Sequence, residues 1–274
     1  MKRFFPALLA LTLGCSASHS PTPPAAAPAV SGAGAEPAPA PASAPAIAAE
    51  IRAAVDALDR SPEDRALDAG RHPAELLSFF EIRPGMRVAE IAAAGGYTAE
   101  LLSRVVGPSG KVYGINSEFI LDRFARASWE ARLQKSVLSN VVRLDRNFDD
   151  PLPADVTNLD AVLCVLFYHD LFWMKVDRAK MNAAIFRALA PGGVYGIVDH
   201  SARASSGAND VETFHRIEEK LVREEIERAG FELVASADFL KNSEDSRDWN
   251  ASPRVAGEKR GQSDRFVLKF VKPK

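Results

Sequence analysis

Three stretches of this sequence hold side chains suited to chemistry. Tyr168-His169-Asp170 and Asp199-His200 each follow an apolar run, and His215 stands a little further on, beside Arg216. A neutral imidazole titrates close to neutral pH and can take a proton from a hydroxyl or an amine. His169 and His200 are therefore candidate general bases, with Tyr168 beside them as a third candidate. The competing reading is that each histidine satisfies a loop carbonyl or its neighbouring aspartate. A second chemistry uses the same residues: His169, Asp170, Asp199, His200 and His215 form a plausible N/O ligand set for a metal ion. No two of them stand four apart on one helix, so no metal is assigned from sequence.

Positioning those residues falls to alternating strands and helices, the pattern of a parallel sheet with helical crossovers. Strands are expected at 87–91, 111–115, 141–144, 159–166, 194–198, 231–234 and 265–271. The fourth is almost wholly apolar, as a strand buried on both faces should be. Helices are expected at 98–106, 118–135, 178–189 and 210–229. Ahead of the sheet, Ile47, Ile51, Val55 and Leu58 recur at helical spacing. Ser61-Pro62-Glu63-Asp64 reads as an N-cap with proline and acidic residues in the first turn. A further short helix is expected over 72–80. In open α/β sheets, ligands bind beyond the carboxyl ends of the strands, where both histidine segments fall.

The stretch from Pro84 to Thr98 runs Pro-Gly-Met-Arg-Val-Ala-Glu-Ile-Ala-Ala-Ala-Gly-Gly-Tyr-Thr. It resembles the first motif of class I S-adenosylmethionine-dependent methyltransferases, in which a strand ends in an acidic residue and turns through glycines into a helix. Gly107 to Gly114, Leu159-Asp160 and Leu189-Ala-Pro-Gly-Gly193 match later landmarks in order. The resemblance spans most of the chain after residue 84. It implies a Rossmann-like α/β fold, a seven-stranded sheet with helices on both faces, and S-adenosylmethionine as cofactor. Carried onto matching positions, it assigns the cofactor to Glu90, Ala92, Ala94, Gly96, Tyr97, Asn116, Asn147 and Phe148. The Tyr-His-Asp segment is similar to an exported branch of predicted methyltransferases, distantly related to quinone-methylating enzymes. The acceptor implied is a small molecule of unidentified kind.

Three departures from the motif bear on function. Ala92 and Ala94 stand where the family usually has glycine, and alanine disfavours positive φ. Asn116 replaces the acidic residue that grips the ribose hydroxyls, and Asn147 replaces the one that meets the adenine amino group. An amide still accepts a hydrogen bond, without the added strength of a charge. An alternative is a binding or metal-binding protein on a degenerate methyltransferase fold, since fold does not establish activity.

Residues 1–14 read as a signal peptide: Lys2 and Arg3, an apolar run of about ten residues, then Gly14-Cys15. Cys15 follows as in a lipobox and is expected to carry a lipid, which would place the protein in the cell envelope as an outer-membrane lipoprotein facing the periplasm. Ser16 is not the aspartate associated with inner-membrane retention. Residues 15–45 are rich in alanine and proline and read as a semi-stiff spacer. Residues 46–274 suffice for one large α/β domain. The formal charge of −2 and the lack of a basic run argue against nucleic acid as a partner. With two cysteines in the chain and Cys15 lipidated, Cys164 has no partner and is expected as a buried thiol.

Overall fold

A computed structural model describes residues 47–274. Cys15 and the expected signal peptide and spacer lie outside the described residues. Three helices come first: α1 (Ala49–Asp56), α2 (Pro62–Arg71) and α3 (Pro73–Phe79). The hydroxyl of Ser61 accepts a hydrogen bond from the Asp64 amide, so the expected N-cap forms. Helix α1 is shorter than the spacing suggested. It buries Ile51 and Ala54, while Ala57 turns the chain out of the helix and leaves Leu58 94 % exposed.

Then β1 (Arg87–Ile91), α4 (Tyr97–Val106), β2 (Lys111–Asn116), α5 (Glu118–Ile120), α6 (Arg126–Leu133) and β3 (Val141–Asp145) follow. The helix expected over 118–135 is interrupted by a π-helical turn at Leu121–Ala125. After β4 (Leu159–Val165) come α7 (Asp170–Trp173), α8 (Arg178–Ala188), β5 (Leu189–His200), α9 (Val211–Phe214), α10 (Glu219–Arg228), β6 (Glu232–Ala237) and β7 (Arg265–Val271).

The seven strands form one sheet in the order β3-β2-β1-β4-β5-β7-β6. All neighbours run parallel except β7, which is antiparallel to both β5 and β6. Apolar side chains on both sides of the sheet make two cores. One gathers Val162, Cys164, Ile197 and Phe270. The other packs Val88, Leu101, Leu163 and Trp129 under α1, α3 and α4. Cys164 is a buried free thiol, and burial raises its pKa well above the usual range. Because β1 pairs with β2 on one side and β4 on the other, the order in which strands are added to the sheet reverses between β1 and β4, opening a crevice at their carboxyl ends.

Two expected elements change, with consequences for the site. Strand β5 begins earlier, with a register break at residues 190–193, and runs on to His200, which pairs with Arg265 of β7. The helix expected over 210–229 is broken: α9 ends at His215 with φ 52°, and α10 starts afresh at Glu219. The cause lies in Arg216. Its buried guanidinium bonds Asp245 Oδ2 at 2.8 Å and the carbonyls of Ser201 and Trp249, and the chain leaves the helix there. Among the described residues, no helix is long and apolar enough to cross a membrane.

Candidate active site

The turn after β1 keeps the backbone of a glycine-rich loop although two of its glycines are alanines. Ala92, Ala94 and Gly96 all hold positive φ, at 56°, 48° and 84°. Left-handed backbone strains an alanine by roughly 1–2 kcal/mol, so the surroundings must enforce it. Asn116 does so from the end of β2. Its Oδ1 accepts from the Ala94 amide at 2.8 Å and its Nδ2 donates to the Ala94 carbonyl at 3.3 Å. The Ala93 amide bonds Ile115, and the Gly96 amide closes the turn onto Ala93. Gly96 admits no side chain: a Cβ there would lie 2.4 Å from Trp129.

Glu90 is buried at the base of this loop. Burial raises its pKa to about 8, against the hydroxyl of Thr98, the Arg71 charge and the Ala99 amide, which favour the carboxylate. Its Oε2 has no hydrogen-bond partner among the described residues. Above it the Arg71 guanidinium lies over the Tyr97 ring at 4.3 Å, and among the described residues it has no carboxylate at ion-pair distance. Helix α2 is fastened to the loop. Tyr97 donates to Asp68 at 2.6 Å, and Arg60 grips the same carboxylate with two bonds of 2.7 Å. Arg132 binds Asp64 and the Gly95 carbonyl together. Beneath this cover the crevice is a cavity of about 10 Å³ lined by Arg71, Pro73, Tyr97, Thr98 and Val165, room for about one water.

Of the remaining cofactor candidates, Phe148 is buried with its ring 5.0 Å from Phe167, while Asn147 is exposed beside it. These two stand beyond β3, on the side of β1 where β2 lies.

The histidine segments do meet. Leu166, at φ 56°, turns the chain off β4, a left-handed outlier for a bulky residue. His169 then presents Nδ1 to Asp199 Oδ1 at 2.6 Å, and its amide donates to Asp199 Oδ2 at 2.8 Å. Its Nε2 faces His215 Nδ1 at 2.9 Å and Asp170 Oδ1 at 3.3 Å. Burial alone would depress the His169 pKa, but the Asp199 and Asp170 carboxylates outweigh it and push it up to about 10. The two carboxylates thus favour the protonated ring, opposite to the neutral base suggested by its type. His200 behaves oppositely. Burial, with His169, Arg265 and Arg216 nearby, drives its pKa well below the usual value. Ser263 Oγ holds its Nδ1 at 2.7 Å. Tyr168 turns the other way: its hydroxyl bonds Glu225 and Asn182 within the packing of α8 and α10.

Sequence reasoning missed Arg132 and Arg216 as organising residues. Their partners lie 29 to 68 residues away, and no local pattern marks them. Arg247 and Trp249, on the long stretch between β6 and β7, are tied into the structure. Arg247 bonds Asp264 and the Ala202 carbonyl, and Trp249 donates to Asp245.

A S-adenosylmethionine-dependent methyltransferase from Aquifex aeolicus superposes with a TM-score of 0.55 at 20 % identity, over 80 % of this chain and 96 % of that one. This is a methyltransferase fold. The arsenic(III) S-adenosylmethionine methyltransferase of Chlamydomonas reinhardtii matches at 0.52 and 17 % identity, over 82 % and 73 %. The cyclase SpnF matches at 0.53 and 19 %, over 77 % and 80 %, so the fold extends beyond methyl transfer. The family model described as protein-L-isoaspartate(D-aspartate) O-methyltransferase matches residues 51–145. That span covers α1 to β3 and the glycine-type loop, and ends before β4 and the histidine segments.

Proposed function

We propose that the protein is an S-adenosylmethionine-dependent methyltransferase acting on a small-molecule acceptor, held at the cell envelope by a lipid on Cys15. The observation that carries this reading is the left-handed loop at Ala92, Ala94 and Gly96. A fold without a ligand to serve has no need to maintain two strained alanines at the crevice between β1 and β4.

The residues present fit the cofactor best at its amino-acid end. The orphaned Glu90 Oε2 suits an ammonium, Arg71 suits a carboxylate, and the loop around Ala92, Ala94, Gly96 and Tyr97 brings its backbone close. Asn116 acts through the loop, since both its polar atoms are committed to Ala94. Asn147 and Phe148 are assigned to the adenine side. When bound, S-adenosylmethionine supplies an electrophilic methyl group on a sulfonium. The protein's part is to orient the acceptor, exclude water and remove a proton.

For the proton, His200 is the better base. Its Nδ1 is fixed by Ser263, and the Nε2 lone pair of a neutral ring is the acceptor. His169 anchors the edge through Asp199, and Tyr168 has a structural role. A groove of about 540 Å³ begins at Ser201 and Ala202, directly after His200, and continues past Glu218, Arg223 and Lys241. Its size suits a small molecule, and its charges suit a polar one. The isoaspartyl acceptor of the matched family gains no support from this half of the chain, which lies outside the match.

The test is formation of S-adenosylhomocysteine when the protein meets labelled cofactor and fractionated small-molecule extracts. Wild type forms it with at least one fraction, and His200→Gln loses roughly 10²–10⁴-fold in rate with cofactor affinity unchanged. Equal turnover by both proteins refutes the role of His200. Absence of turnover with every fraction counts against the activity.

A further inference from the structure

We infer that His169, Asp170 and His215 form a binding site for one divalent transition-metal ion of the zinc or cobalt type. The inference does not depend on the methyltransferase reading.

Three ligand atoms converge from three positions of the chain. His169 Nε2 and His215 Nδ1 are 2.9 Å apart, His169 Nε2 and Asp170 Oδ1 are 3.3 Å apart, and His215 Nδ1 and Asp170 Oδ1 are 3.4 Å apart. Metal–ligand bonds of about 2.0–2.1 Å in tetrahedral geometry place neighbouring ligands roughly 3.3 Å from one another. Small side-chain adjustments therefore suffice to admit the ion. Two imidazoles with a carboxylate favour zinc, iron, cobalt or nickel over calcium or magnesium, which prefer oxygen alone.

The surroundings are those of a built site. Asp199 accepts from the far nitrogen of His169 at 2.6 Å and from the His169 amide at 2.8 Å, which fixes the ring so that Nε2 faces the cluster. A carboxylate behind a ligating histidine is a recurrent feature of metal sites. Asp170 Oδ1 accepts from Trp173 Nε1 at 2.6 Å, which holds that carboxylate in turn. His215 is aimed inward from a left-handed residue, φ 52°, at the end of α9. His169 is buried, while the side chains of Asp170 and His215 keep 18 % and 27 % exposure. One side of the cluster thus reaches solvent, so an ion can enter and keep a coordination position for water or for an oxygen of an acceptor. His200 lies behind, with its ring centroid 5.6 Å from that of His169 and its own Nδ1 on Ser263, outside the ligand set. Hydrogen bonding alone explains less. One hydrogen bond can join the two facing nitrogens, but it leaves Asp170 Oδ1 beside both at 3.3 and 3.4 Å, long for a hydrogen bond to either.

The experiment is titration of the full chain, prepared without a polyhistidine tag, with cobalt(II) and with zinc(II), followed by visible absorption and by metal analysis after desalting. The expected result is one equivalent bound, with the intense visible bands of low-coordinate cobalt, bleached by zinc. Asp199→Asn should weaken affinity about 10–100-fold, and His215→Ala and Asp170→Asn by at least as much. His215 is half-buried at the edge of the fold, so His215→Ala keeps its circular dichroism and melting temperature in metal-free buffer. His72 lies outside the cluster, and His72→Ala should bind like wild type. Failure of folded wild-type protein to retain either ion overturns the proposal. So does undiminished binding by the His215→Ala, Asp170→Asn double variant.

Discussion

Tyr97, the first residue of α4, donates its hydroxyl to Asp68 of α2 at 2.6 Å. Together with Arg132, which bridges Asp64 of α2 to the Gly95 carbonyl, that bond joins the cover of the crevice to the loop below it. Since Arg60 holds Asp68 from behind, the cover and the loop form a latch. A cavity of about 10 Å³ is too small for a cofactor, and α2, which contributes Arg71 to its lining, is the element expected to move for one to enter.

Tyr97→Phe removes one tie of the latch, leaves the Arg132 bridge in place and keeps the ring under Arg71. A hydrogen bond to a charged group contributes about 1.5–3 kcal/mol, and the variant should lose up to that much stability in urea. Its association with S-adenosylhomocysteine, followed by stopped-flow fluorescence, should be several-fold faster. An unchanged association rate would show that this tie does not gate the crevice.

Ala92→Gly and Ala94→Gly each relieve left-handed strain of roughly 1–2 kcal/mol and give back roughly 0.5–1 kcal/mol to chain entropy. Each variant should be neutral or more stable by about 1 kcal/mol, and the pair should bind cofactor more tightly. Chemical denaturation and calorimetry check this. A loss of more than about 1 kcal/mol would mean that the alanine methyl groups contribute packing that outweighs the strain.

Glu90 makes stability fall as pH rises. Its folded pKa of about 8 lies above the ordinary value of 4.5, so between those limits the folded state retains a proton that the unfolded state has lost. Stability is full below the lower limit and declines up to the higher one, by at most about 1.4 kcal/mol per pH unit from this group. Glu90→Gln should flatten the profile between pH 5 and pH 8. Parallel profiles for variant and wild type would remove Glu90 as the cause.

Arg216 and Asp245 are an almost fully buried pair, with side chains 0 % and 1 % exposed. Removing one partner strands the other charge, at a cost of about 3–5 kcal/mol. Asp245→Asn should lower the melting temperature markedly and free the segment around Trp249, seen as raised hydrogen exchange there. A change within about 0.5 kcal/mol would refute the pair's structural role.

The strands of this fold were legible because their signals are local. Arg87–Ile91 and Arg265–Val271 are apolar runs bounded by turns, and the structure reproduces their limits. The loop was legible by position but not by conformation. Alanine argues against positive φ, and the clamp that overrules it comes from Asn116, 22 residues away from Ala94. That asparagine looked like a lost ribose contact, whereas it holds the loop in shape. The break between α9 and α10 was invisible for the same kind of reason, since Arg216 obeys a partner 29 residues downstream. The histidines were placed on the right edge, but their charge states were not readable. Neither Asp199 behind His169 nor the burial of His200 can be inferred from neighbours in sequence.

Cofactor binding depends above all on the loop from Glu90 to Thr98. Its most direct test is calorimetric titration of the protein with S-adenosylhomocysteine, beside Arg71→Ala. Saturable binding at one site per chain, weakened about 10-fold or more in the variant through loss of a charged contact of about 1.5–3 kcal/mol, is the result expected. Folded wild-type protein that takes up no ligand at millimolar concentration would contradict it.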